Sequence, residues 1–246
     1  MAHLKVLYGF HTITTRLRHS PLSIKEILYD PTRRDRRMQN FLHTAKSYSV
    51  RLISADNMRM SGLAGTKQHQ GVVARAMDLP LAKNLDELLK TLLEPALLLI
   101  LDRITDPNNL GACLRVADAA GVQAVIAPRD HTAGLNPITL KVASGATETV
   151  PYIMVTNLAR SLRELKEAGI WVIGTVTNAQ RSLYATPLDG PVALVMGSEG
   201  GGIRRLTRET CDDLIHIPMM GSVDCLNVSV ASGVCLFEAL RQRTKH

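Results

Sequence analysis

The chain has 246 residues, enough for one large domain or for a small and a medium one, and 46% of them are hydrophobic. Its longest apolar run is far shorter than the roughly 20 residues that span a bilayer, and no secretory signal region opens the sequence, so we expect a cytoplasmic protein without membrane partners. The net charge of +7 lies entirely in residues 1–60, where eleven Lys and Arg accompany four Asp and Glu; this indicates a docking surface for a polyanion, with a solvated charged turn as the alternative.

The first 77 residues alternate short strand-like and helical segments. Strands are predicted at "KVLYGF" and "QGVVARAM", a helix at "RRMQNFLHTAKSYSV", and a further element at "SIKEILYD". This alternation predicts a small α/β domain over residues 1–77. Its positive charge peaks at "RRDRR", which makes Arg33, Arg34, Arg36 and Arg37 candidates for phosphate contacts.

Residues 78–95 are predicted to be a linker. The segment "DLPLAKNLDELLKTLLEP" opens with a proline-containing stretch, continues into a short amphipathic helix and ends at Pro95. The second domain is therefore predicted to cover residues 96–246.

In this second domain apolar strands alternate with helices. Strands are predicted at residues 96–102, 122–128, 150–155, 170–175, 192–197 and 214–219, and helices at 109–121, 158–169 and 227–243. The alternation of aliphatic strands and helices predicts an α/β fold with a parallel sheet covered on both faces. The last helix is apolar on nearly every side from Val228 to Leu240 and is expected to be buried.

Small polar residues follow three of the predicted strands, at the sheet edge where such folds bind ligands. After the first strand, "DPNNLGACLR" places Asn109 to cap the next helix, Gly111 to permit close backbone approach, and Arg115 less than two turns along. "GSEGGG" follows the fifth strand, and "PMMGSVDCLN" follows the sixth. We therefore expect one site that these three segments share.

Other ligand classes fit these residues poorly. The glycines of "GSEGGG" do not form the G-x-G-x-x-G pattern of dinucleotide-binding folds, and no P-loop is present. The four cysteines are scattered and lack clustered histidines, so we expect reduced thiols and no metal site.

Three segments, in order, resemble the signature motifs of the SpoU (TrmH) branch of the SPOUT RNA methyltransferases: "NLGACLR", "LVMGSEGGGIRRLTRETCD" and "IPMMGSVDCLNVSVASGVCLFEALRQR". "YGFHTI" and "HQGVVA" resemble the RNA-binding domain that precedes the catalytic domain in rRNA-modifying members. The resemblance covers essentially the whole chain. It implies a C-terminal segment threaded through a deep trefoil knot and an N-terminal domain like a ribosomal protein of the L30e type.

The resemblance also implies a reaction and its partners. The expected activity is methylation of the ribose 2'-OH of one guanosine in the peptidyl-transferase region of 23S rRNA, with S-adenosylmethionine as cofactor, by a homodimer. The positions that match functional residues of the family are Asn109, Arg115, Glu199, Asn227 and Ser229 for catalysis, and Thr175, Gly197, Ile217, Met219 and Leu226 for the cofactor. Arg33, Arg34, Arg36 and Arg37 are RNA-binding candidates because of the local positive charge.

In the family, the arginine at the position of Arg115 is associated with activation of the 2'-OH. With a pKa near 12.5, deprotonating an arginine at pH 7 would cost roughly 7 kcal/mol. We therefore favour Arg115 as a group that positions phosphate and hydroxyl through its bidentate guanidinium.

One departure from the family pattern concerns Asp224 and Cys225, which stand where the family usually has serines. Cysteine is a weaker hydrogen-bond partner than serine, so we expect Cys225 to make a weaker polar contact than the serine that the family has at this position. Two alternatives stay open: a tRNA ribose 2'-O-methyltransferase of the same family, and a non-catalytic rRNA-binding or ribosome-assembly factor. The sequence also leaves open whether the substrate is free rRNA or a large-subunit assembly intermediate.

Overall fold

The computed structural model describes residues 4–198 and 200–244, and the chain divides into two compact units after Pro80. The segment predicted as a linker, 78–95, contains a helix that belongs to the second unit. Its Leu85 and Leu88 are buried in a hydrophobic core of that unit.

The first unit is a four-stranded mixed sheet with three helices. Its strand order is β1-β4-β2-β3, in which β4 is antiparallel to both neighbours and β2 is parallel to β3. The elements are β1 (Leu4–Tyr8), α1 (Phe10–His19), β2 (Ile24–Tyr29), α2 (Arg36–Ser47), β3 (Leu52–Ser54), α3 (Asn57–Ala64) and β4 (Val72–Met77). The two predicted strands and the predicted helix of this region are confirmed.

Helix α1 was not expected from the sequence, because its threonines are poor helix formers and no side chain caps its first turn. It forms because Phe10, Ile13 and Leu17 are buried together in the core of the first unit. Most helical stability in proteins comes from such packing of one apolar face.

The second unit is a seven-stranded sheet of order β7-β6-β5-β10-β8-β11-β9, and its strand pairings are parallel. The elements are α4 (Leu85–Thr91), β5 (Leu97–Asp102), α5 (Pro107–Ala119), β6 (Ala124–Pro128), α6 (Pro137–Ala143), β7 (Tyr152–Val155), α7 (Leu158–Glu167), β8 (Trp171–Thr175), β9 (Arg181–Ser182), β10 (Val192–Gly197), α8 (Arg205–Thr210), β11 (Asp213–His216) and α9 (Val228–Arg243). The predicted parallel α/β sheet is confirmed.

Helices cover both faces of this sheet. Leu110 and Leu114 of α5 and Leu236 of α9 are buried in one core, whereas Leu88 of α4 and Leu162 of α7 are buried in the other. The strands between these cores are apolar on both sides, as parallel sheets require.

Two sequence-based expectations about helices are wrong. Asp106, rather than Asn109, caps α5: its carboxylate accepts a hydrogen bond from the Asn108 amide, and Pro107 occupies the first helical position, where a missing N–H costs nothing. Helix α9 is not buried on nearly every side, because Val230 and Phe237 on one side of it are 52% and 48% exposed.

Among the helices in residues 4–198 and 200–244, none is long and apolar enough to cross a membrane.

Candidate active site at the strand ends

A cavity of about 1190 Å³ opens beyond the carboxyl ends of β8, β10 and β11. Strand β8 lies between β10 and β11 in the sheet, so the three strand ends are adjacent. The residues that the sequence predicts to bind the cofactor all line this cavity: Thr175, Gly197, Ile217, Met219 and Leu226. The geometry therefore brings together positions that are up to 51 residues apart in the sequence.

The glycine-rich segment after β10 forms one wall of the cavity. Ser198 and Gly202 pair through two backbone hydrogen bonds of 3.1 and 2.8 Å, which fold the loop back on itself. A Cβ atom at Gly197 would lie only 2.1 Å from the carbonyl carbon of Gly202, so no larger residue fits there. Gly197 therefore lets two backbone segments meet at the cavity wall.

The same loop is anchored to the neighbouring strand by an ion pair that sequence analysis missed. Asp102, fully buried at the end of β5, accepts hydrogen bonds from Arg204 through its side-chain Nε at 2.7 Å and its backbone N–H at 3.0 Å. The sequence did contain a signal for this ion pair: a carboxylate ends the apolar run "LLLILD", and a buried charge needs a partner.

His216 Nδ1, a buried polar atom of the cavity wall, has no hydrogen-bond partner within the described part of the chain, and the buried Thr175 Oγ1 is close enough to the Cys235 thiol to interact with it. Arg208 and Asn178 also line the cavity and lie 3.4 Å apart at Nη2 and Oδ1. His216, Arg208 and Asn178 were not among the predicted site residues. Together these groups can offer hydrogen bonds to the polar parts of a bound molecule.

A separate polar cluster joins the heads of α5 and α9. Asn227 donates from Nδ2 to Asn109 Oδ1 at 2.9 Å, and its own Oδ1 accepts from the backbone N–H and the hydroxyl of Ser229, at 2.9 and 2.6 Å. Asn227 is thereby the N-cap of α9. The structure thus brings together three of the five predicted catalytic residues.

Arg115, the fourth predicted catalytic residue, does not join this cluster. Arg115 is exposed on α5 and makes no hydrogen bond or ion pair with the residues described. It follows Asn109 by six residues, which at 3.6 residues per turn places the two side chains about 120° apart around the helix axis. Glu199 lies outside the described residues.

Two cysteines near the strand ends differ in their surroundings. Burial raises the pKa of Cys211 to about 12, so this thiol stays protonated near neutral pH. Cys225 and its neighbour Asp224 are exposed at the cavity. Within residues 4–198 and 200–244, no group of three or more His, Cys, Asp or Glu side chains could hold a metal ion.

The four arginines predicted to contact RNA lie on the first unit and have different surroundings. Arg33 is engaged, since it bonds the Asp35 carboxylate at 2.5 Å and the Gln70 carbonyl at 2.6 Å. Arg37 lies over the Phe10 ring, with 4.6 Å between the guanidinium carbon and the ring centroid. Arg34 and Arg36 are exposed.

Two protein-family models match the chain, one for each unit. The model described as the SpoU rRNA Methylase family matches residues 96–237, and that described as RNA 2'-O ribose methyltransferase substrate binding matches residues 6–81.

Comparison with individual proteins gives the same result. The 23S rRNA (guanosine-2'-O-)-methyltransferase RlmB of Ralstonia nicotianae is 64% identical over 244 residues, which cover 99% of this chain and 98% of that protein. The protein of the same name from a Burkholderia species is 59% identical, with coverage of 100% and 99%. The crystal structure of the SpoU methyltransferase AviRb from Streptomyces viridochromogenes in complex with AdoMet has a TM-score of 0.73 at 26% identity, covering 98% of this chain and 90% of that one. With a family model over more than half its length and such relatives over nearly all of it, the chain belongs to the SpoU rRNA methylase family.

Proposed function

We propose that this chain is an S-adenosylmethionine-dependent methyltransferase that modifies the ribose 2'-OH of one guanosine in the peptidyl-transferase region of 23S rRNA. The observation that carries the proposal is the cavity at the strand ends, where all five expected cofactor positions meet. The relatives that share more than half of the sequence are named as enzymes of this activity.

The cavity suits S-adenosylmethionine. The cavity is large, has glycines in its wall and is only partly polar, and the buried His216 Nδ1 has no hydrogen-bond partner among the described residues. When bound, the cofactor supplies an electrophilic methyl group on a sulfonium. Gly197, Ile217, Met219 and Leu226 would hold it, largely through backbone atoms.

The chain's own groups would align the ribose hydroxyl and handle its proton. Arg115, exposed and without a partner among the described residues, would bind a phosphate of the substrate and orient the 2'-OH. The hydrogen-bonded residues at the N-terminal ends of α5 and α9 would present amide and hydroxyl groups to the ribose; they are Asn109, Asn227 and Ser229. Glu199 is proposed as a further group of this site on the family pattern alone.

The decisive experiment is methyl transfer from radiolabelled S-adenosylmethionine to unmodified 23S rRNA, with the product mapped by 2'-O-methyl-sensitive primer extension. We expect one guanosine ribose to be methylated. Arg115→Ala should lower the rate at least about 100-fold, because misplacing the reacting groups costs that much. Arg163→Ala, which removes an exposed arginine from α7, is the matched control and should retain the wild-type rate.

The alternatives give different outcomes in the same assay. Label in tRNA but not in 23S rRNA would preserve the chemistry and overturn the substrate. No incorporation into either, together with tight RNA binding, would favour a non-catalytic binding protein and direct attention to Asp224 and Cys225. Comparing naked rRNA with a large-subunit assembly intermediate identifies which is the substrate.

We further propose a domain organisation: an RNA-binding domain of the L30e type at 1–77, a linker at 78–95 and the methyltransferase domain at 96–246. The L30e-like proposal is supported by the mixed sheet and three helices of the first unit. A cytoplasmic location follows from the proposed substrate.

The proposed trefoil knot is supported by the path of the C-terminal segment. Strand β11 is separated from β5 by β8 and β10, yet the next helix, α9, packs against β10 and against α5, the helix that follows β5. The chain must therefore cross back over the strand ends, close to the folded loop at Gly197–Gly202.

The proposed homodimer is supported by exposed apolar side chains on one helical layer. Helix α5 packs against both α6 and α9, and on α6 and α9 Ile138, Val230 and Phe237 are 48–52% exposed. A cluster of exposed apolar residues on a soluble protein marks an interaction surface.

A further inference from the structure

A polar groove lies between α1 and α2 of the first unit. Its volume is about 390 Å³, within the range of about 300–1,000 Å³ typical of ligand pockets. The lining residues are Phe10, His11, Thr14, Thr15 and Arg18 of α1, and Arg37, Asn40, Phe41 and Thr44 of α2. The set combines cationic groups with hydroxyls and an amide, and it contains no carboxylate.

The cations of this groove are available to a ligand. The guanidinium groups of Arg18 and Arg37 form no ion pair or hydrogen bond within the part of the chain that the structure describes. Arg33, four residues before Arg37, is instead held by Asp35 and the Gln70 carbonyl. The groove therefore presents two unneutralised positive charges from facing helices, which favours an anionic ligand with more than one charged group.

The aromatic residues of the groove decide which part of a nucleic acid it can contact. Phe10 and Phe41 are only 4% and 5% exposed and pack edge to face against each other, with 5.3 Å between ring centroids. The Phe10 ring is also in contact with the guanidinium groups of Arg33 and Arg37. Binding of single strands through bases needs exposed ring faces for stacking, and these rings offer none.

We infer that the α1–α2 groove binds the phosphate and ribose backbone of a single-stranded segment of the substrate RNA. This inference rests on the proposed function and assigns part of its substrate binding to specific side chains. Arg18 and Arg37 contact phosphates from opposite sides of the groove, and Arg37 is held in position by its packing on Phe10. The hydroxyls of Thr14 and Thr15 and the amide of Asn40 bond ribose 2'-OH groups and phosphate oxygens.

The test is the salt dependence of RNA binding by the full-length protein. The probe is an unmodified transcript of the peptidyl-transferase region of 23S rRNA, and its Kd is measured between about 50 and 200 mM salt. Each phosphate contact to single-stranded nucleic acid contributes about 0.7 to the slope of log K against log salt concentration. The double variant Arg18→Ala/Arg37→Ala should therefore reduce the slope by about 1.4 and weaken binding at the lower salt concentration by at least tenfold.

Matched variants separate this groove from general positive charge. Arg59→Ala removes an exposed arginine from α3 of the same unit, outside the groove, and should change the slope by much less than one contact. Thr14→Val removes a hydroxyl while preserving size; it should weaken binding severalfold without changing the slope. Circular dichroism and thermal unfolding of each variant verify that the fold is retained.

The outcomes distinguish this inference from the proposed function. If the wild type methylates 23S rRNA but the double variant binds it with the same slope and affinity as Arg59→Ala, the groove does not contact the backbone and the inference is wrong. If the wild type transfers no methyl group but the double variant loses the predicted slope, the groove binds RNA and only the proposed activity fails. Weaker binding by Thr14→Val on RNA, but not on DNA of the same sequence, supports recognition of the ribose 2'-OH, whereas the double variant should weaken binding to both nucleic acids.

Discussion

A single buried histidine shows how a side chain in a sequence motif can be tied to the fold rather than to the reaction. His69 of "HQGVVA" is 3% exposed; its Nδ1 accepts a hydrogen bond from the Gly71 amide at 3.1 Å, and its Nε2 lies 3.1 Å from the Ser61 hydroxyl. Because Nδ1 is an acceptor, the ring is neutral with its proton on Nε2. His69 therefore holds the turn before β4 only in its unprotonated form.

This hydrogen bonding predicts a pH dependence of stability. Burial lowers the pKa of His69 below its usual 6.5, and the nearby Asp30 carboxylate offsets this effect only in part. Since the unfolded state then binds more protons than the folded state, stability decreases as the pH falls through 6.5 toward the lowered pKa. The thermal unfolding midpoint of the wild type should thus decrease more between pH 7 and pH 5 than that of His69→Asn, which keeps an acceptor for Gly71 but cannot be protonated.

A matched control for this prediction is His43→Asn, because His43 is exposed on α2. It should show the pH dependence of the wild type. An equal pH dependence for His69→Asn and the wild type would mean that His69 is not the group that titrates.

At the level of elements, the loop between β10 and α8 depends on the pairing of Arg204 with Asp102. Removing the guanidinium leaves the fully buried carboxylate with only the backbone N–H of residue 204, which costs roughly 1–3 kcal/mol. We expect Arg204→Ala to loosen the glycine loop and to weaken S-adenosylmethionine binding about tenfold, as measured by calorimetry. Arg205→Ala is the control, since that side chain is 90% exposed and its contact with Glu209 is 3.6 Å. An unchanged Kd for a folded Arg204→Ala protein would show that the loop keeps its shape without the anchor.

The sequence predicts the elements that have a local pattern of apolar residues, and it misses those that depend on packing against distant residues. The six long strands of the second unit are continuous apolar runs, and the shared location of the polar segments follows because a parallel sheet brings the strand ends together. The individual cofactor positions were predicted from the family resemblance. Helix α1 was missed because its stability comes from packing rather than propensity. Gly111 was read as permitting close backbone approach, and the structure identifies the approaching partner as α6: a Cβ atom there would lie 2.7 Å from the Thr139 carbonyl oxygen.

The contacts of the predicted catalytic residues also depend on parts of the chain that are distant in the sequence. The contact between Asn109 and Asn227 spans 118 residues and follows from the two helix heads meeting, which no local pattern encodes. Arg115 follows Asn109 by six residues, so helical geometry places the two side chains on different sides of α5. Their action in one site stays a prediction.

At the scale of the whole molecule, the exposed apolar side chains of the second unit bear on its association with a partner. Val230 and Phe237 are seven residues apart on α9 and so lie on the same side of the helix, where both are about half exposed. Ile138 on α6 belongs to the same layer of helices. Helix α9 was predicted to be buried on nearly every side, but in the single chain it is covered on one side only. A partner subunit would cover the other side.

This surface predicts the oligomeric state. At micromolar concentration the wild type should sediment with twice the chain mass of 26.9 kDa, because covering this apolar layer favours association. Phe237→Asp should shift the protein toward the monomer, since a charge buried in an apolar interface costs several kcal/mol. Leu206→Asp, which changes an equally exposed leucine on α8, should remain dimeric. A monomeric wild type would refute the proposed homodimer, and a dimer that withstands Phe237→Asp would place the interface on a different surface.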